Sequence, residues 1–165
     1  MAPSARSVGT MNSRDAFYKA FRGNFSSLLS WQQLDEFWKV VRGKADAGWY
    51  IYAIGTPVPT QISSTEDVVK FINEVDALLR KEHYEDYCGI VYADSKQDPA
   101  LIKIFDPDNL GVSCGFSNNP PLPGWVLSLI PPQPLEAKRP LPAGRLRWWQ
   151  TIWARYLTMP VRPIK

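Results

Sequence analysis

Apolar residues recur at three- and four-residue spacing in two long stretches of this chain. Over residues 30–42, Trp31, Leu34, Phe37, Trp38 and Val41 share one stripe, and that spacing predicts an amphipathic helix. Ser30, with Gln33 three residues on, has the form of a capping box, which satisfies amides at a helix start. Gly43 suits a left-handed residue beyond the helix end. Over residues 63–82, Val68, Phe71, Ile72, Val75, Leu78 and Leu79 lie on one face in the same way. Ser63 with Glu66 reads as a second capping box. The acids Glu66 and Asp67 and the bases Arg80 and Lys81 sit at the ends that the helix dipole favours. A shorter helix is predicted over residues 12–22, where Phe17 and Phe21 are four apart and Gly23 supplies a stop.

Between these stretches the pattern turns to short runs rich in β-branched and aromatic residues. Residues 49–54 (Trp-Tyr-Ile-Tyr-Ala-Ile) are too short for a helix and predict a buried strand, stopped by Pro57 and Pro59. Residues 87–93 and 101–105 predict two strands joined as an antiparallel hairpin, and residues 125–130 a fourth. The link at 106–124, rich in Pro, Gly and Asn, has room for a further short strand around residues 110–114. If the strands flanking the long helix share a sheet, they should form a right-handed parallel crossover. The expected fold is of the α+β class. It is a single-domain two-layer α/β sandwich whose mixed, mainly antiparallel sheet of about four strands carries helices on one face.

Proline and charge divide the remainder. Residues 1–11 are small, polar and aperiodic, and are read as a disordered N-terminus that lacks the apolar core of a secretory signal. Serine without acid gives faint support to an organelle transit peptide, and Met11 is an alternative start. Ten of the 15 prolines fall between Pro120 and Pro163. The resulting division is a globular domain at 12–130, a Pro-rich linker at 131–143, a helix at 144–158 and a short tail at 159–165. From Lys138 onward there are seven basic and no acidic residues, whereas the preceding 137 residues carry 12 basic and 16 acidic ones. The whole chain is only +3, too little to argue for nucleic-acid binding by the molecule at large. No run reaches the roughly 20 apolar residues that span a bilayer. Two cysteines make no disulfide framework and fit a reducing, cytoplasmic setting, although a Cys88–Cys114 pair is one alternative.

The tail carries the strongest functional signal. As a helix, residues 144–158 place Leu146, Trp149, Ile152, Trp153, Tyr156 and Leu157 in one arc, with Trp148 on its shoulder and Arg145 at its N-terminal edge. Arg147 and Arg155 lie on the other side. Such a basic, tryptophan-rich helix has four readings, in order of preference. It packs back on its own domain; it docks into a protein partner; it lies on an anionic membrane surface; or it stacks on single-stranded nucleic acid. A helix of this length is marginal alone in water, so an ordered one needs something to dock against. The loop that includes Pro121, Pro123 and Trp125 is a second candidate contact. It is a stiff segment that loses little entropy on binding, or else a connector whose tryptophan fills the core.

Catalytic chemistry is thin. Cys114 lies between two glycines and is the candidate reactive thiol, with His83, the one histidine, as its candidate base. No spacing ties the two together. The acids Glu82, Glu85 and Asp86 around His83 read first as a solvated helix end. No zinc spacing occurs. The run Asp106-Pro107-Asp108-Asn109 fails as a calcium loop, with Leu110 and Ser117 at ligand positions, and reads as a turn. Phosphate-binding and nucleophile-elbow motifs are missing. The expectation is a small accessory or adaptor protein that works by binding a protein partner, with no cofactor, metal or small-molecule ligand. The residues expected to carry it are Trp148, Trp149, Trp153, Arg145, Arg147, Arg155, Pro121, Pro123 and Trp125. A thiol-dependent enzyme or redox protein at Cys114 and a peripheral membrane protein anchored by the tail are the alternatives.

Overall fold

The computed structural model describes residues 13–83, 88–109, 122–136 and 142–154. In chain order the elements are α1 (Ser13–Phe21), β1 (Ser26–Ser27), α2 (Trp31–Gly43), β2 (Tyr50–Ala53), α3 (Thr65–Glu82), β3 (Val91–Ala93), β4 (Leu101–Ile104), a 3-10 turn (Pro107–Asn109), β5 (Trp125–Ser128) and α4 (Ala143–Ile152). The five strands form one open sheet in the order β1-β3-β4-β5-β2. The α+β class predicted from the pattern therefore stands. The strand around 110–114 and the disordered reading of 1–11 fall outside the described residues.

Every strand pair is antiparallel, which corrects both the mixed sheet and the parallel crossover. Tyr50 pairs with Ser128 and Ala53 with Trp125, so β5 lies beside β2. Leu101 pairs with Ser128 and Ile104 with Trp125 on its other side. The last strand thus occupies the position a crossover would need, and α3 carries the chain from one edge of the sheet to its far side. β1 is the strand the pattern did not show. Two serines have no apolar alternation, and only pairing with Tyr92 and Ala93 makes them a strand.

Side-chain alternation gives the sheet two apolar faces. Ile51, Ala53, Val91, Ala93, Ile102, Ile104, Trp125 and Leu127 point to the first, where α2, α3 and α4 pack. Tyr52, Leu101 and Val126 point to the second, which is covered by Phe17 of α1, so the helices do not all lie on one face as expected. The segment read as a linker also lies on the second face. The Leu135 amide donates to the Tyr52 hydroxyl (3.0 Å), and the Tyr18 hydroxyl donates to the Pro134 carbonyl (2.8 Å). Lys103 of β4 lies on this face too, with its ammonium 4.1 Å from the Phe21 ring centroid and 4.0 Å from that of Phe25. Burial pushes its pKa down to about 8, because a charge is costly to desolvate. The indole N–H groups of the buried Trp38 and Trp49 are satisfied by Asp76 and by the Lys44 carbonyl.

Helix ends differ in detail from the sequence reading. Ser30 caps α2, and its hydroxyl accepts from the Gln33 amide, but the Gln33 side chain accepts from Leu29 rather than from Ser30. α2 closes with i→i−3 bonds from Lys44 and Ala45, so Gly43 stays inside the helix, and among the described residues the left-handed glycines are Gly48, Gly55 and Gly89. α3 is capped one residue later than expected, by Ser64, whose hydroxyl accepts from Asp67. Ser63, one residue before the cap, donates its backbone N–H to the Trp49 carbonyl at 2.7 Å, which ties the approach to α3 to the start of β2.

Candidate functional site

α4 is the element on which the functional argument turns. Its first residues are Ala143 and Gly144, with Pro142 at the N-cap and no side-chain cap bond. The C-terminal end closes through Trp153, with a turn from Ala154 to the Thr151 carbonyl. Ten residues with an uncapped start are marginal alone, so contact with the body supplies the order. Arg145, Trp148, Trp149 and Ile152, spaced at 0, 3, 4 and 7, face inward. Ile152 is buried. Trp148 packs edge-on to Trp125 (5.4 Å between centroids) and Trp149 edge-on to Phe71 of α3 (6.1 Å). Trp149 in turn meets Trp153 at 5.7 Å. The helix thus packs back on its own domain. Its buried stripe is rotated toward Trp148 relative to the predicted arc, leaving Leu146 37% exposed.

Arg145 explains the rotation. Its guanidinium is buried and grips Asp106 with two bonds, Nε to Oδ2 and Nη2 to Oδ1, both 2.7 Å. Nη2 also reaches Glu82 at 2.9 Å and Asp108 at 2.8 Å. Hydrogen bonding to Asp106 chiefly, against the opposing cost of burial, raises the Arg145 pKa further above its already high ordinary value. Local structure places each acid. Glu82 ends α3, and Asp106 opens the 3-10 turn, where its Oδ1 accepts from the Asp108 amide at 2.9 Å. Asp106 is only 12% exposed at its side chain, against 29% for Glu82 and 69% for Asp108. Arg145 was expected to meet a partner; it is instead spent inside the chain. The acids lie 37 to 63 residues away in sequence, so no local motif shows the cluster. The one available signal was an arginine within an apolar arc, which calls for an anion.

The other candidate residues are dispersed. Trp125 is 2% exposed at the start of β5 and belongs to the core, and Pro123 beside it is buried. Arg147 is exposed on the outer side of α4. His83 follows α3, its ring edge-on to Trp31 at 6.0 Å. Cys88 is a free, fully buried thiol whose pKa burial pushes up. Cys114, Pro121 and Arg155 lie outside the described residues. Among the described residues no group of three or more His, Cys, Asp or Glu side chains is placed to hold a metal ion. No helix among them is long and apolar enough to cross a membrane. Compared with known protein families, curated proteins and solved structures, the chain matches none.

Proposed function

We propose that this is an accessory protein that binds a protein partner through the outward side of α4. The observation that supports this is the exposed pair Leu146 and Arg147 on that side, next to Trp148, Trp149 and Trp153, whose inward-packed rings stay only partly buried. Tryptophan and arginine are the side chains most enriched at the energetic centres of protein contacts. A helix already ordered on its own domain loses less entropy on binding than a free tail would. The cytoplasm is the compartment that goes with this reading, supported by the free thiol of Cys88.

The test keeps the fold and alters only the outer side. Leu146→Glu and Arg147→Glu in the full chain, with circular dichroism confirming the fold, are compared with the unaltered protein in affinity capture from the native host. Loss of a defined partner with both variants supports the proposal. A partner retained at full strength by both rules out the outward side of α4 as its site.

A further inference from the structure

Among the described strands Lys103 is the only charged residue. Alternation along β4 sets it on the second face of the sheet with Leu101, at a position where an apolar side chain is the ordinary occupant. Its partners in register are Tyr92 of β3 and Val126 of β5, which flank its stem. Its ammonium lies over two rings, those of Phe21 at the end of α1 and Phe25 just before β1, 4.1 and 4.0 Å from their centroids. Among the described residues it has no ion pair and no hydrogen bond. The carboxylates on the elements packed over this face, Asp15 of α1 and Glu136 after Leu135, are exposed. So are the cations Arg14, Lys19 and Arg22, and the remaining titratable groups here are the hydroxyls of Tyr18, Tyr52 and Tyr92.

Aromatic faces attract a cation, but they offer no acceptor for the N–H donors of an ammonium. Burial outweighs the attraction and brings the pKa of the amine down to about 8. A lysine amine that sheds its proton in apolar surroundings is a nucleophile. Lys103 is only half-buried, so a small electrophile can reach the nitrogen. The class of electrophile follows from what the site gains. Acylation replaces a cation that lacks acceptors with a neutral amide and lays an acyl chain against Phe21 and Phe25. An imine or a methylated amine would still take a proton and keep the buried charge.

We infer that Lys103 is an acyl-accepting residue, taking short acyl groups from thioesters while seated against Phe21 and Phe25. In the step, Nζ attacks the thioester carbonyl carbon, the C–N bond forms and the C–S bond breaks, and the thiolate leaves with the proton that the nitrogen sheds. The site lies on the face of the sheet opposite α4 and is independent of the partner contact proposed there. The experiment treats the full chain with S-acetyl-N-acetylcysteamine at pH 7 and at pH 10, and peptide mapping by mass spectrometry gives the initial rate at each lysine. At pH 7 about one in ten of amines with such a pKa is free base, against roughly one in 2,500 of unperturbed lysines. Tighter access offsets part of this, and the expected rate at Lys103 is about tenfold or more above that at Lys39, whose side chain is 70% exposed. At pH 10 the gap should close, because exposed lysines lose their protons too. Phe21→Leu and Phe25→Leu, with circular dichroism confirming the fold, admit water to the amine and should lower its rate at pH 7. Acetylation of Lys103 no faster than Lys39 at pH 7 would overturn the inference. So would an advantage that persists undiminished at pH 10, or one that both leucine variants leave unchanged. If a leucine variant does not fold, the pH comparison in the unaltered chain decides.

Discussion

Replacing Arg145 with methionine keeps a stem that fills similar space and removes the cation from three carboxylates. The magnitude depends on what each acid can do next. Asp108, 69% exposed, returns to water at almost no cost, and its pairing is worth no more than an exposed ion pair, about 0.5 kcal/mol. Glu82, at 29%, rehydrates in part. Asp106, at 12%, does not, and it loses two short charge-assisted bonds. Such bonds are worth about 1.5–3 kcal/mol each before rehydration, and removing one partner of a fully buried pair costs about 3–5 kcal/mol. With one acid of three truly stranded, the expected loss is about 2–3 kcal/mol, or roughly 4–12 °C in Tm for a chain of this size. Urea unfolding followed by tryptophan fluorescence measures it, and detachment of α4 should shift the emission of Trp148 and Trp149 to the red. Asp106→Asn should cost about 2 kcal/mol and Asp108→Asn under about 0.5. A double-mutant cycle should give a coupling above about 1 kcal/mol for Arg145 with Asp106 and near zero for Arg145 with Asp108. Equal costs at Asp106 and Asp108, or an Arg145→Met chain as stable as the original, would refute the reasoning.

Other outcomes follow from the same geometry. Lys103 has a folded-state pKa lowered to about 8 from 10.5, so its charge destabilises the fold fully below pH 8, and that penalty is relieved as pH rises toward 10.5. The Tm of the unaltered chain should therefore gain on that of Lys103→Met across this window, the variant being the more stable at pH 7. A constant difference from pH 7 to 10 would count against it. The Cys88 thiol should resist alkylation at pH 8 in the native state and react once urea unfolds the chain; rapid native labelling of Cys88, located by peptide mapping, would contradict its burial. Ser64→Ala should cost about 1 kcal/mol in urea unfolding, as loss of a helix cap does, whereas Ser63→Ala, whose backbone bond survives, should cost under about 0.5. The reverse order would restore the cap to Ser63.

The helices were readable because their information is local. Leu34, Phe37, Trp38 and Val41 in α2, and Val68 through Leu79 in α3, announce their buried faces by spacing alone, and those residues are the buried ones. Tyr50–Ala53, Leu101–Ile104 and Trp125–Ser128 announce strands by composition, each within a residue or two of its predicted limits. Sheet order is not local. Nothing in residues 49–93 shows that a strand 75 residues beyond Tyr50 will lie against it, and the antiparallel placement of β5 there displaced the expected crossover. β1 had no pattern to read, since two serines become a strand only through their partners.

The tail shows the division most plainly. Its sequence predicted a helix over residues 144–158 with a tryptophan-rich face, from spacing and side-chain chemistry; α4 begins one residue earlier, at Ala143, and ends at Ile152, where Trp153 closes it. Only the tertiary structure decided where that face goes. Burying an arginine requires anions within hydrogen-bond reach, and those anions, Glu82, Asp106 and Asp108, come from the end of one helix and the turn after a strand. Folding brings them together across dozens of residues, and their position, not the helix pattern, turns Trp148 inward and leaves Leu146 and Arg147 facing out.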